Sequence, residues 1–265
     1  MYKIKCIAAT YTNCRENNED NYFVNSIYAD MCHRNEKFKK NFKDNKKNIF
    51  AVFDGLGGEE RGEEASFIAA KALKKYKSIE EYYKKASNEI YEKISMGTSK
   101  VSGTTAAILE IEKGNFVCSN IGDSRVYLIR NGTIRQLSKD HTSIQTMIDA
   151  GIVTKEQAKK SKYKNTLSQC LGISEKDIVI SPFIGKKERL CDRDIFLICS
   201  DGLMEGLSDE EIMKIIFDNK LNGDVRDNLF EKAVLNGSRD NITIILIYIS
   251  ENRNIFSRFR KVIND

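Results

Sequence analysis

The stretch Asn48-Ile49-Phe50-Ala51-Val52-Phe53-Asp54-Gly55-Leu56-Gly57-Gly58-Glu59-Glu60-Arg61-Gly62-Glu63-Glu64-Ala65-Ser66 constrains this chain more than any other. Ile49 to Phe53 is a short apolar run of the kind that makes a buried strand. Asp54 to Gly58 is a carboxylate followed by a glycine-rich turn, whose glycines let the backbone bend closely around it. From Glu60 the spacing becomes helical, with Ala65, Ile68, Ala69, Ala72, Leu73 and Tyr76 on one face. A carboxylate fixed at a strand end beside a free backbone carbonyl offers oxygen ligands to a hard cation. The same residues also make an ordinary strand-turn-helix corner, and the rest of the chain must decide between the two.

Ahead of this stretch, Ile4 to Tyr11 forms a strand, a polar loop runs from Asn13 to Asn21, and Tyr22 to Val24 forms a second strand. Residues 28–48 are polar and lysine-rich and are expected to form an exposed excursion. A second helix is expected from about Glu80 to Ser95. Gly103 to Ile111 and Phe116 to Ile121 pair across the turn Lys113-Gly114-Asn115. Arg125 to Arg130 and Thr133 to Leu137 pair across Asn131-Gly132, a strong hairpin signal. Helical pieces follow at about 143–150 and 154–161, the second opened by the capping box Thr154-x-x-Gln157. Ile195 to Cys199 is a continuous apolar strand ending in Ser200-Asp201-Gly202. Ser208-x-x-Glu211 caps a helix through about Phe217, another helix spans about 224–235, and Asn241 to Ile249 is the last long strand. Strands in antiparallel runs and helices in pairs argue for an α+β layered fold over an alternating βαβ one.

Within 265 residues there is one proline, Pro182, and no linker-like tract, so a single domain is expected over 1–265. Net charge is +5, from 43 basic and 38 acidic residues. Basic clusters at Lys37–Lys47 and Arg258–Lys261 lack a nucleic-acid motif and are taken as solvated surface, with no specific nucleic acid as partner. The seven cysteines contain no CxxC pair, which indicates neither a disulfide framework nor a zinc site. Cys118 and Cys199 fall in apolar runs and are expected to be buried thiols. Only His33 and His141 are present, which all but removes a histidine metal site. The start of the chain lacks a signal-peptide pattern, and no apolar run reaches the ~18–20 residues of a membrane span. A cytoplasmic location is the expectation.

Three aspartates share one kind of setting. Asp54 closes the strand Ile49–Phe53, Asp201 closes Ile195–Cys199, and Asp240 immediately precedes Asn241–Ile249. Carboxylates at sheet ends can converge on one edge, where they repel and bind protons unless a cation intervenes. Oxygen ligands without histidine favour Mg²⁺ or Mn²⁺ over zinc.

The matching segments then run in order: Arg15-x-x-Asn18-Glu19-Asp20; Asp54-Gly55-Leu56-Gly57-Gly58 with Gly62-Glu63 and Ala65-Ser66; Gly103-Thr104-Thr105; Asn120-Ile121-Gly122-Asp123-Ser124-Arg125; Asp140-His141; Leu171-Gly172; Ser200-Asp201-Gly202-Leu203; Asp240-Asn241. In this ordered set the chain resembles the metal-dependent protein phosphatases of the PPM type, the type 2C serine/threonine family, and most closely its compact bacterial members. The resemblance implies a four-layer α-β-β-α sandwich with two mainly antiparallel central sheets. It implies two Mn²⁺ or Mg²⁺ core ions and a third, weaker one. Asp54 is expected to bridge the core ions, with the Gly55 carbonyl on one of them and Asp201 and Asp240 on the other. Glu19 and Asp20 are expected to act from the far side. Asn241 is expected to support Asp240, and Arg15 to hold the substrate phosphate. Asp123, with Asp201, is expected to hold the third ion; the other reading makes it a turn residue paired with Arg125.

Hydrolysis of phosphoserine and phosphothreonine by a hydroxide bridging the two ions is implied, with no phosphoenzyme and no cysteine nucleophile. Partners implied are phosphorylated proteins, the products of a serine/threonine kinase, acted on by a monomer. Many eukaryotic relatives carry a histidine where Leu56 stands, which leaves the source of the leaving-group proton open. His141 is expected to be a structural, hydrogen-bonding histidine. A flap subdomain is expected at about 143–190, rich in lysine at Lys155, Lys159, Lys160, Lys162 and Lys164. The rival reading of another class is a pseudophosphatase serving as a binding or regulatory module; retention of Asp54, Asp201 and Asp240 argues against it.

Overall fold

The computed structural model describes residues 1–56, 61–76, 78–96, 102–158, 166–174, 179–218 and 225–251. Two antiparallel sheets face each other. In the six-stranded sheet the order is β10 (Thr133–Gln136), β9 (Arg125–Arg130), β13 (Ile195–Cys199), β14 (Ile242–Glu251), β1 (Tyr2–Tyr11), β4 (Glu36–Lys43). In the other it is β11 (Phe183–Ile184), β8 (Asn115–Ile121), β7 (Ala106–Glu112), β5 (Asn48–Leu56), β2 (Asp20–Val24), β3 (Ile27–Tyr28), with β12 (Glu188–Arg189) also on β8 and β6 (Gly103–Thr104) on β5.

Side chains alternate across a strand, and here both faces of the central strands are covered. Ile4, Cys6 and Ala8 of β1 and Ile245, Ile247 and Ile249 of β14 meet Phe50, Val52, Ala107 and Leu109 between the sheets. The intervening Ile7, Ala9 and Tyr11, with Ile244, Leu246 and Tyr248, face the outer layer of α5 (Asp201–Gly206), α6 (Asp209–Asp218) and α7 (Val225–Leu235), through Leu203, Ile212, Leu229 and Ala233. On the other flank α1 (Gly62–Ala72) and α2 (Ile79–Ile90) lay Ala65, Ala69, Tyr82 and Ala86 on Phe23, Phe53 and Ile108. The result is the four-layer α-β-β-α sandwich. Double-sided burial explains why β13 and β14 read as unbroken apolar runs.

Local signals hold where they have a mechanism. Asn131 and Gly132 at φ 54° and 76°, and Lys113 and Gly114 at 50° and 75°, both adopt the left-handed pair that a two-residue hairpin turn needs. Ser208 and Glu211 exchange backbone-to-side-chain bonds at 3.0 and 3.3 Å, and Thr154 and Gln157 at 2.8 and 3.2 Å. Cys118 and Cys199 are buried. After α2 the chain makes a π-helical turn, Tyr91–Ser95, within the stretch expected as one helix.

Residues 28–48 correct the expected excursion. They contain β3's end and the whole of β4, an edge strand paired to β1 from Thr10↔Glu36 to Lys3↔Lys43. Phe38 and Phe42 rest on the core while the lysines are exposed, and lysine is how natural edge strands discourage further pairing. In the expected flap, α3 (Ser143–Asp149) and α4 (Lys155–Ala158) are formed, and β11 docks on β8. Lys159, Lys160, Lys162, Lys164 and the cluster Arg258–Lys261 lie outside the described residues, as do Gly57 to Glu60.

Candidate active site

The strands do not stop where the apolar runs stop. β5 continues through Asp54 to Leu56, because Gly55 and Leu56 pair with Thr104 and Gly103 of β6. β2 starts at Asp20, and the antiparallel register sets Asp20 directly opposite Asp54. From the facing sheet, Asp201 follows β13 as the first residue of α5, and Asp240 lies just before β14. Asp123 sits in the connection between β8 and β9, which passes from one sheet to the other. One edge of the sandwich thus collects the carboxylates.

Closeness of backbone is required here. A Cβ on Gly55 would lie 2.2 Å from the Gly62 carbonyl oxygen and 2.6 Å from that of Glu19. A Cβ on Gly62 would lie 2.7 Å from Glu19 Oε2. The Gly55 N–H donates to the Glu19 carbonyl at 3.1 Å, so Asp54-Gly55, Glu19 and the start of α1 lock as one unit.

Burial and like charge act together on these acids. Asp20 is 1 % exposed and its carboxyl is pushed up to about 7, first by burial, against hydrogen bonds from Ser200 and Thr243 that favour the ion. Asp123 is pushed up to about 8 by burial and then by Asp201, and Asp201 up to about 6 by burial and then by Asp240. The Asp54 carboxyl rises by burial, then by the fields of Asp20, Asp201, Asp123 and Asp240. The Glu19 carboxyl rises by burial, then by Glu63. Asp54, Asp123 and Asp201 nevertheless keep a partial opening to solvent. Arg15 stands beside this cluster, its Nη2 2.8 Å from Asp240 Oδ2 and 58 % of its side chain exposed.

Hydroxyls brace the carboxylates. Ser200 Oγ donates to Asp20 Oδ2 across the sheets at 2.7 Å and accepts from the Thr243 N–H at 2.9 Å. Thr105 is fully buried between two acid-bearing segments. Its Oγ1 accepts from the Asp54 N–H at 3.1 Å and lies 2.7 Å from Ser124 Oγ, while its own N–H donates to the Asp54 carbonyl at 2.8 Å. Thr105 and Ser200 lie within the ordered motifs, which assign them no role. Thr243 carries no such signal, since a threonine in a strand is ordinary.

Three other residues have specific partners. The Asn241 backbone N–H donates to Asp240 Oδ1 at 2.8 Å, whereas its side chain ties down the Arg15 loop by donating to the Thr12 and Asn17 carbonyls and accepting from the Glu19 N–H. Arg125 does not pair with Asp123. It grips Asp140 through Nε and Nη2, the shortest contact being 2.6 Å, which removes the turn-pair explanation of Asp123. His141 is structural in form: its Nδ1 accepts from the Gly122 N–H at 3.2 Å and its N–H donates to the Gly122 carbonyl at 2.9 Å.

An oxygen-only, mutually repelling donor set fits a hard divalent ion and does not fit zinc. Among the described residues no three acidic, histidine or cysteine side chains already close into a metal cage. The carboxylates flank an open edge instead, an arrangement that suits Mg²⁺, which keeps several of its waters.

The model of the family described as protein phosphatase 2C matches residues 18–146. A serine/threonine phosphatase Stp from Listeria welshimeri is 32% identical over 236 residues, spanning 82% of this chain and 89% of that one. The solved serine/threonine phosphatase of S. agalactiae superposes with a TM-score of 0.77 at 25% identity, over 94% of this chain and 100% of that one. The catalytic domain of the phosphatase PstP, solved in complex with 2 manganese ions, gives 0.73 at 23% identity over 95% and 100%. At that identity the likeness is one of fold.

Proposed function

The chain belongs to the protein phosphatase 2C family of metal-dependent serine/threonine phosphatases, and from that premise we propose how its own residues divide the work. The substrates are phosphoserine and phosphothreonine in proteins that a serine/threonine kinase has modified. The observation that carries this reading is the gathering of Asp20, Asp123, Asp201 and Asp240 around Asp54, each of the four raising its proton affinity, with Arg15 at the rim.

Asp54, the Gly55 carbonyl, Asp201 and Asp240 hold two core Mn²⁺ or Mg²⁺ ions, Glu19 and Asp20 act behind them, and Asp123 with Asp201 holds a third, weaker ion. Ions bound there supply charge neutralisation for the phosphoryl group and lower the pKa of water at the site. Asp54 presents its carboxylate from a strand clamped on both sides, so little reorganisation accompanies the reaction. Arg15 offers a planar fork that matches two phosphate oxygens, and its exposure leaves it free to turn from Asp240 to a phosphate. Asn241 holds the loop that carries Arg15. Leu56 places no acid beside Asp54-Gly55, so esters with weakly basic leaving groups, such as aryl phosphates, are the favoured small substrates. The segment 143–190 acts as a flap beside this edge. The protein works in the cytoplasm as a monomer.

The test is hydrolysis of an aryl phosphate and a phosphothreonine peptide with Mn²⁺, Mg²⁺ or chelator. Turnover should require the added ion and stop with chelator. Full activity in buffer shown by elemental analysis to be metal-free rules out this chemistry.

A further inference from the structure

β2 and β5 carry acids at one end and meet a lysine-lined groove at the other. Beyond Val24 and before Phe50, a hollow of about 450 Å³ is lined by Asn25, Phe42, Lys43, Lys46, Lys47 and Lys74, with Leu73 and Tyr76 among its apolar walls. Four lysines and no carboxylate line it, in a chain whose basic and acidic residues number 43 and 38.

Neighbouring acids are already committed. Asp44 is buried and accepts from the Tyr2 N–H at 2.9 Å, and Glu110 pairs with Lys47 at 2.5 Å. Lys43 and Lys46 are exposed and form no ion pair among the described residues.

We propose that this depression is a docking surface for an acidic, extended segment of a protein substrate, remote from the catalytic edge; this rests on the phosphatase reading above. Charge complementarity identifies the occupant. Apolar walls at Leu73 and Tyr76 suit a polypeptide. Asn48 opens β5 and Asp54 lies farther along it, ~20 Å away at ~3.4 Å per residue. A substrate that fills both places therefore needs at least ~6 residues between its phosphorylated residue and its acidic segment. Short phosphopeptides do not reach the surface; longer acidic ones gain local concentration at the active site.

The experiment has two arms. In chelator at low salt, a fluorescent oligo-glutamate peptide of ~10 residues, long enough for the span above, is titrated by anisotropy. Lys43→Glu/Lys46→Glu should weaken it at least ~10-fold, whereas the charge-matched Lys214→Glu/Lys232→Glu, on the outer helix layer, should stay within ~2-fold. Equal losses in both variants, or none in either, overturn the proposal. So does tighter binding of a DNA oligonucleotide of the same charge and the same lysine dependence, which assigns the surface to nucleic acid. In the second arm, a phosphothreonine peptide is compared with the same peptide carrying a distal acidic segment, with Mn²⁺ present. The extension should raise kcat/KM ~10-fold in the parent protein and not in Lys43→Glu/Lys46→Glu, with aryl phosphate turnover equal in the two proteins. No gain from the extension overturns the docking role. Absence of aryl phosphate hydrolysis would sink the phosphatase reading instead, and the first arm would still test the surface.

Discussion

The two ends of the β2–β5 pair are each crowded with one sign of charge, and they are built in opposite ways. At the Asp20–Asp54 end the carboxylates are packed into protein, held by backbone register and hydroxyls, and raised in proton affinity. At the Asn25–Asn48 end the lysines stand in solvent on a turn. Water and salt screen the second group, so its mutual repulsion is small. The first group lacks that screening, and either protons or cations must supply it. A buried cluster of one sign implies a resident ligand in a way that a surface cluster does not.

The sharpest break in this contrast comes from Asp201→Asn, which removes one charge and keeps the shape. Metal titration calorimetry should show a weakened core ion, with turnover falling beyond the ~10–100-fold typical of outer-shell partners, on aryl phosphate as well as peptide. Retention of both tight ions and normal rates would require the site to be redrawn.

Stability against pH separates the two ends next. Unfolded aspartates titrate near ~3.9, whereas Asp201, Asp20 and Asp123 sit at about 6, 7 and 8 in the folded chain. Between those limits the folded state binds more protons, so the metal-free protein should lose stability as pH rises from ~4 to ~8. Mn²⁺ should restore it at the upper end by mass action. Chemical denaturation across that range, with chelator or Mn²⁺, measures both; a metal-free curve that climbs with pH contradicts the assignment.

Thr105→Val keeps shape but leaves the Asp54 N–H without its acceptor and Ser124 Oγ without its partner. A cost of ~1–3 kcal/mol is expected from such buried groups, along with looser metal binding, and Thr105→Ser should recover most of it. Equal metal affinity in the two variants would mean that Thr105 does not position Asp54.

Arg15→Ala should raise KM for phosphopeptides ~10-fold, the loss of one charge-assisted phosphate contact of ~1.4 kcal/mol. Because Arg15 is the cation on Asp240, its removal should not weaken ion binding. Lost metal with unchanged KM would reverse the two roles.

Lys46→Glu at the other end should shift stability by no more than ~0.5 kcal/mol, as exposed substitutions do. A larger loss would show that the lysine end is braced as the acid end is.

The layered fold and most strands were legible because β1, β13 and β14 announce themselves through apolar side chains on both faces, and because Asn131-Gly132 and Ser208-x-x-Glu211 have local mechanisms. β4 was not legible as a strand. An edge strand with one face in water and lysines along it carries only Phe38 and Phe42 as apolar signal. The motifs located Asp54, Asp201 and Asp240, but Asp54 was expected to close a strand that in fact runs on to Leu56.

What the residue order determined by itself was periodicity, turn chemistry and the inventory of oxygen ligands without histidine, all properties of neighbours along the chain. Tertiary structure alone decided that Asp20 faces Asp54, that Ser200 reaches across the sheets to Asp20, that Arg125 takes Asp140 rather than Asp123, and that lysines from the β4–β5 turn and the end of α1 share one groove. Each is a pairing between residues far apart in sequence. Local preference carries no information about such pairings, and they are settled only when register and sheet packing choose which strand ends meet.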